Sequence, residues 1–185
     1  MDSILWKKLK SGEKSALAQI YSEHAAVMLK YGRRFSSDGQ LVEDCVQDLF
    51  IELWNNREGL GMTDSIRKYL LLSLRRKIIR MVSTSRYSTN EPEEGAFEAV
   101  FDIEQEIIGG EIDAERQKRL KAALEGLTRR QQEILYLKYY SDLDYHDIGE
   151  IMDLNYQSAR NLAFRALEAL RELMLLAVLW ILRFF

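Results

Sequence analysis

The sequence predicts an all-α protein, two small helical domains joined by an acidic linker. Three observations point there. The 185 residues hold one Pro and ten Gly, too little punctuation for a chain of many short strands. Apolar residues make up 47% and recur at steps of three and four on both flanks, the period of helices with one buried face. Charge is unevenly spread. Residues 1–82 hold 14 Lys+Arg and 10 Asp+Glu (+4), residues 83–115 hold one and ten (−9), and residues 116–185 hold 11 and 9 (+2). The acidic middle also carries the only Pro and the Gly109-Gly110 pair, which marks it as a linker. The expected division is 1–85, a linker over 86–112, a second domain over 113–172 and an apolar tail over 173–185.

In the first flank, Leu17, Ile20, Tyr21, His24, Met28, Tyr31 and Phe35 fall on one helical stripe. A second helix is predicted in LVEDCVQDLFIELWNN. There Val42, Cys45, Val46, Leu49, Leu53 and Trp54 share a face, and Glu43, Asp44, Gln47, Asp48 and Glu52 point elsewhere. The run GLGMTDS interrupts, and a third helix starts near Asp64 or Ser65, either a good cap. In the linker, Phe97, Val100, Phe101 and Ile103 are apolar enough to dock locally.

The second flank predicts a four-helix domain. ERQKRLKAALEGL is stopped near Gly126. Thr128 to Gln131 is a capping-box pattern opening QQEILYLKYY. Asp144 caps a short helix from Tyr145 to Met152, and Asn155 caps a longer one beginning YQSARNL. This is a helix-turn-helix pattern, with Gly149 small enough for close approach and Asp153 suited to a left-handed turn. Ala159, Ala163, Ala166, Leu170, Leu173 and Ala177 form the buried stripe of the last helix. Residues 173–185, LMLLAVLWILRFF, have Arg183 as their only polar member. At about 20 Å as a helix they are too short for a bilayer, which takes about 20 residues, so they must be buried against something.

Composition excludes much. The lone Cys45 allows no internal disulfide and suggests the cytoplasm. The N-terminus has no apolar stretch of signal-peptide length, so secretion is not expected. His24 and His146 are far apart with no thiol nearby, so no metal site and no cofactor are expected. No phosphate-binding glycine loop, dinucleotide turn or nucleophile elbow occurs, so no enzyme of those kinds is expected. A net charge of −3 by itself argues against nucleic acid, but it averages the −9 linker over two mildly basic flanks.

Two groups suit nucleic acid. Arg67, Lys68, Tyr69, Arg75, Arg76, Lys77, Arg80 and Arg86 cluster within 20 residues, along the third helix and just after it. The cations can neutralise phosphates, and Tyr69 can stack on an unpaired base. The bland alternative is a solvated basic face with Tyr69 in the core. Gln157, Ser158, Arg160, Asn161, Phe164 and Arg165 lie at the start of the second helix of the helix-turn-helix, where side chains face the major groove. The acidic strip of Glu43, Asp44, Gln47, Asp48 and Glu52 reads, from periodicity alone, as a solvated face.

At this point the residues resemble a known family, the extracytoplasmic-function sigma factors of bacterial RNA polymerase. GEKSALAQIYSEHAAVMLKYGRRF is similar to the family's first helix. Glu43, Asp44, Gln47, Phe50 and Trp54 follow its Glu-Asp, Gln, Phe and Trp signature, and LTRRQQEILYLKYYSDLDYHDIGEIMDLNYQSARNL resembles its DNA-reading domain. DLNYQSARNL with the apolar tail looks most like the Bacteroidetes subgroup. Arg76 stands where the family commonly has Asn, and Leu162 where it is often basic.

The resemblance implies an alternative sigma factor, not an enzyme, with core RNA polymerase and promoter DNA as partners and no small-molecule substrate. Residues 1–85 would bind polymerase and open the minus-ten element, with Glu43, Asp44, Gln47, Asp48 and Trp54 on the polymerase side. GLGMTDSI would be the loop that captures a flipped minus-ten base. Residues 113–172 would read the minus-thirty-five element. A membrane-anchored anti-sigma factor, coupled to an outer-membrane transporter, would be the regulator. Two rival readings stay open from the residues: a free-standing dimeric helix-turn-helix regulator, and a protein-binding adaptor without DNA contact.

Overall fold

A computed structural model describes the backbone of residues 2–85 and 111–182 and the side chains of residues 2–82 and 118–175. Among the described residues every regular element is helical. Contacts divide the chain into two compact units, Met1–Ala96 with Glu150–Asp153, and Phe97–Gly149 with Leu154–Phe185.

The first unit is built on α1 (Asp2–Lys10), α2 (Lys14–Gly32), α3 (Gly39–Asn55) and α4 (Ile66–Ser85), with a 3-10 turn at Arg57–Gly59. Its core joins Trp6 and Leu9 of α1, Ile20, Met28 and Tyr31 of α2, Val42, Val46 and Leu49 of α3, and Ile66, Leu70, Leu74 and Ile78 of α4. Burying each such side chain contributes about 1.5–3 kcal/mol relative to exposure. Gly32 is where α2 closes on its neighbours. A Cβ there would stand 2.6 Å from Val42 Cγ1 and 3.0 Å from Ile78 Cδ1, so the packing demands a residue without a side chain.

Three details differ from the sequence reading. α1 carries no expectation from sequence, yet Trp6 and Leu9 are completely buried. α2 ends at Gly32, and Phe35, placed on its stripe by period, lies beyond the helix. Phe35 still reaches the core by setting its ring edge-on to Tyr31 at 5.1 Å. α3 begins two residues before LVEDC, because the Asp38 carboxylate accepts from the Leu41 amide at 3.1 Å.

The helices after the linker are α5 (Glu111–Glu125), α6 (Arg129–Leu135), α7 (Tyr145–Met152) and α8 (Tyr156–Leu182), all in the second unit but for the last three residues of α7. The linker residues 86–110, with Phe97, Val100, Phe101 and Ile103, lie outside the described residues. α5 starts at Glu111, inside the stretch read as linker. The capping box is present. The Gln131 amide donates to Thr128 Oγ1 at 3.3 Å, and the Thr128 amide donates to Gln131 Oε1 at 3.0 Å. Gln132 is buried, and its Nε2 donates to the Leu124 and Leu127 carbonyls at 2.9 and 3.0 Å. Those bonds tie α6 to the end of α5 and to the turn after it, where the Leu124 carbonyl also accepts from the Leu127 amide at 3.1 Å.

The expected continuous helix through YLKYY is not what forms. α6 stops at Leu135, and Tyr136–Tyr140 makes a π-helical turn, in which one extra residue shifts the following side chains around the axis. Tyr139 and Tyr140 both face outward as a result. α8 runs to Leu182 and Leu173 packs against Gly126, but Met174 and Leu175 stand exposed. The side chains from residue 176 on, Ala177 included, lie outside the described set.

Candidate nucleic-acid interface

The helix-turn-helix follows from local chemistry. Asp144 Oδ1 accepts from the Asp147 amide at 2.8 Å, and Asn155 Oδ1 accepts from the Ser158 amide at 2.8 Å. Each carboxylate or amide oxygen satisfies an orphan donor at its helix start. Asp153 takes a φ of 56° between the helices. A Cβ on Gly149 would stand 2.6 Å from the Leu154 carbonyl oxygen, and the Leu154 amide donates to the Gly149 carbonyl at 2.8 Å. The turn therefore rests directly on the α7 backbone. On α8, Ala159, Ala163 and Ala166 are completely buried, so small side chains bring the helix close to α5 and α6.

That stripe sets what faces away. Gln157, Arg160, Asn161, Phe164 and Arg165 are all exposed, and Phe164 keeps 62% of its surface. Ser158 is half-buried beside the turn. Gln157 Nε2 donates to Asn161 Oδ1 at 3.0 Å, and Arg165 Nε donates to the Asn161 carbonyl at 3.4 Å. One helical stripe thus carries amide and guanidinium groups of the kinds that pair with base edges. Five of the six sequence-predicted reading residues share this open face.

The α4 candidates are more mixed. Arg76 and Arg80 are exposed, and Arg67 and Arg75 are half-buried. Arg76, Arg80 and Tyr69 follow one stripe at spacings of four and seven. The Lys68 side chain keeps only 14% exposure, and its ammonium lies 3.5 Å from Asp64. The Asp64 carboxyl is held below its usual range by its own backbone amide and then by Lys68. Tyr69 is half-buried, with its ring edge-on to Trp6 at 4.9 Å. Burial pushes its phenol up, against a hydrogen bond with Ser73.

On α3, Asp44 and Gln47 face solvent. Glu43 pairs with Arg33 at 3.2 Å. Lys77 of α4 pairs with Asp48 at 3.3 Å and Glu52 at 2.7 Å. Burial opposes the charge on Lys77, yet the Glu52 and Asp48 carboxylates outweigh it and hold the ammonium above the ordinary lysine range. Trp54 is half-buried under the Arg57 guanidinium, 4.6 Å from its ring centre, a cation–π contact. Sequence reasoning missed Ile51, which stands 58% exposed in the middle of this strip. Its signal was its position, four residues after Gln47 and seven after Asp44.

Neither His24 nor the thiol belongs to these surfaces. Cys45 is buried and free, and burial pushes its thiol up. His24 is buried, and burial together with the Arg67 guanidinium holds its imidazole below its ordinary value. Among the described residues, no group of His, Cys, Asp and Glu stands ready to hold a metal ion, and no helix is long and apolar enough to cross a membrane.

Comparisons with known proteins match two stretches of the chain to two family models. Sigma-70 region 2 matches residues 20–87, and Sigma-70 region 4 matches residues 117–170. The chain is 24% identical over 171 residues to the ECF RNA polymerase sigma factor SigK of Mycobacterium ulcerans, covering 91% of this chain and 90% of that one. Among solved structures, CnrH in complex with the cytosolic domain of CnrY superposes with a TM-score of 0.63 at 18% identity, covering 94% of this chain and 96% of that one. The sigma factor RpoE in complex with the anti-sigma factor NepR from Bartonella quintana gives 0.59 at 20% identity, covering 87% and 95%.

Proposed function

Since the chain belongs to the extracytoplasmic-function sigma factors of the sigma-70 family, we propose that its two units divide promoter recognition between the surfaces described above. It is an alternative sigma factor directing transcription initiation, and is not itself an enzyme. In this reading residues 1–85 bind core polymerase and the minus-ten element, residues 113–172 read the minus-thirty-five element, and residues 86–112 connect them.

The observation that carries the assignment is the exposed stripe of Gln157, Asn161 and Arg165 on an alanine-backed helix. Arg pairs guanine bidentately and Asn or Gln pairs adenine, each worth about 1–3 kcal/mol of discrimination. Arg160 and Phe164 flank the stripe, and Ser158 borders the turn. On the first unit, Asp44, Gln47 and the Trp54 edge face the polymerase, and Glu43 and Asp48 complete the strip. Arg67, Lys68, Tyr69, Arg75, Arg76 and Arg80 lie toward the opened strand. The loop over residues 60–65 captures a flipped minus-ten base.

The DLNYQSARNL segment with the apolar tail supports a Bacteroidetes-type subgroup. An anti-sigma factor anchored in the membrane is the regulator this reading carries; of the similar structures, RpoE was solved with the anti-sigma factor NepR and CnrH with the cytosolic domain of CnrY. The test is transcription in vitro with purified core polymerase on a genomic fragment library. Start sites that depend on this protein, preceded by two unlike elements at fixed spacing, support the reading. A protected palindrome bound without polymerase overturns it.

A further inference from the structure

The loop over residues 60–65 carries Gly61 and follows Gly59, so it has many conformations open to it unless something fixes it. That something is α1. Trp6 Nε1 donates to the Gly61 carbonyl at 2.8 Å, across 55 residues of chain. Lys10 Nζ donates to the Leu60 carbonyl, across 50. Asp2 Oδ2 accepts from the Ile66 amide at 2.9 Å, across 64. The helix thus grips the loop at its first two carbonyls and at the amide where it re-enters α4. Inside the loop, Thr63 Oγ1 donates to the Ser65 carbonyl and accepts from the Ser65 amide, at 3.0 and 3.2 Å. Met62 and Asp64 are left facing outward, Met62 with 57% exposure.

α1 is itself fixed. Trp6 and Leu9 are completely buried, and the Trp6 ring meets Tyr69 of α4 at 4.9 Å. After α1 the chain turns at Gly12, with a φ of 87°, beside the Arg57 side chain. Arg57 in turn donates from Nη1 to the Trp54 carbonyl at 2.9 Å. Both ends of the loop are therefore tied to one rigid piece. α1 lies outside the residues matched by the region 2 model, which begins at residue 20.

We infer that α1 is a strap holding residues 60–65 in their base-capturing form, which makes Trp6 and Lys10 positioning residues for the minus-ten element. The inference rests on the base-capture reading of this loop. The physical ground is preorganisation: a loop already ordered loses less freedom when a base enters it, so binding is tighter and more selective. Neither side chain need touch DNA. The Trp6 indole is fully covered, and it acts through the Gly61 carbonyl.

The test uses holoenzyme reconstituted with core polymerase, and a cognate promoter with each minus-ten base replaced in turn. Trp6→Phe keeps a ring and loses the donor. Lys10→Met keeps the stem, and guards against a Trp6→Phe protein that fails to fold. Met62→Ala and Thr63→Ala alter the loop itself. For both strap variants the expected result is a loss of minus-ten base discrimination of about three- to tenfold, the size one net hydrogen bond carries. Core polymerase affinity and binding to a minus-thirty-five fragment stay within about twofold. Hydrogen exchange at residues 60–66 speeds up in the same variants. Lost discrimination in the loop variants alone overturns the strap. Unchanged discrimination in all four variants overturns the base-capture reading, and the strap with it.

Discussion

α4 and α8 both carry the cationic and polar side chains proposed for promoter contact, but they hold them differently. On α8 the reading residues stand on an open face, backed by three fully buried alanines and linked only to neighbours one turn away. On α4 the cations and the tyrosine are partly absorbed into the unit. Lys68 lies against Asp64, Lys77 bridges two carboxylates of α3, and Tyr69 leans on Trp6. The lesson is that α8 separates reading from stability, whereas on α4 the two are coupled. On the proposed reading, a side chain removed from α8 takes a contact to DNA with it. One removed from α4 also takes an internal partner.

The comparison breaks most sharply at the support of α8. Gly149→Ala places a methyl 2.6 Å from a backbone oxygen, and neither backbone can move without opening the turn. A cost of about 1–3 kcal/mol is expected, seen as a lower melting midpoint of a fragment or of the whole chain, with loss of minus-thirty-five binding. Next comes the reading face itself. Arg165→Ala should leave the melting midpoint unchanged while initiation at the cognate promoter falls by about 5- to 150-fold, corresponding to about 1–3 kcal/mol. Quantitative transcription beside a thermal melt measures both.

On α4 the expected pattern inverts. Lys77→Met removes two ion pairs whose carboxylates are 60% and 62% exposed, so the loss of stability is about 0.2–1 kcal/mol. Urea unfolding at low salt should show it, and 1 M salt should largely erase it. The smallest effect belongs to His24, whose imidazole is held low by burial and by Arg67. The unfolded chain therefore binds the proton more readily than the folded one. Its contribution to stability is complete above the ordinary histidine value of about 6.5 and is lost as pH falls through that value toward the folded one. His24→Gln should flatten that part of the stability profile relative to the parent.

The sequence made the second unit easier to read than the first. Thr128, Asp144 and Asn155 cap helices because their own side chains reach amides three residues on, and such signals are written locally. Gly149 and Asp153 likewise announce the turn. The first unit hides its decisive contacts. α1 has nine residues, too few to be marginally stable alone, and its hold on the loop spans 50 or more positions. Lys77 looked like one cation in a basic cluster, and its pairing with α3 follows from packing that no local period encodes. The π-helical turn at Tyr136–Tyr140 is hidden for a similar reason, since Ile134, Leu135, Tyr136 and Leu137 are apolar at every position and carry no period that an extra residue could break.

The claim that the two units divide the work is tested most directly by one crossed measurement. Asp44→Arg and Arg165→Ala are each assayed for core polymerase affinity and for promoter-dependent initiation at saturating polymerase. Reversing an exposed charge at a polar contact is expected to weaken polymerase binding by about 10- to 100-fold, as for hydrogen bonds to charged groups, with initiation recovering as polymerase is raised. Arg165→Ala is expected to bind polymerase as the parent does, with initiation low at every polymerase concentration. Equal loss of both activities in both variants, with the proteins folded, would contradict the division.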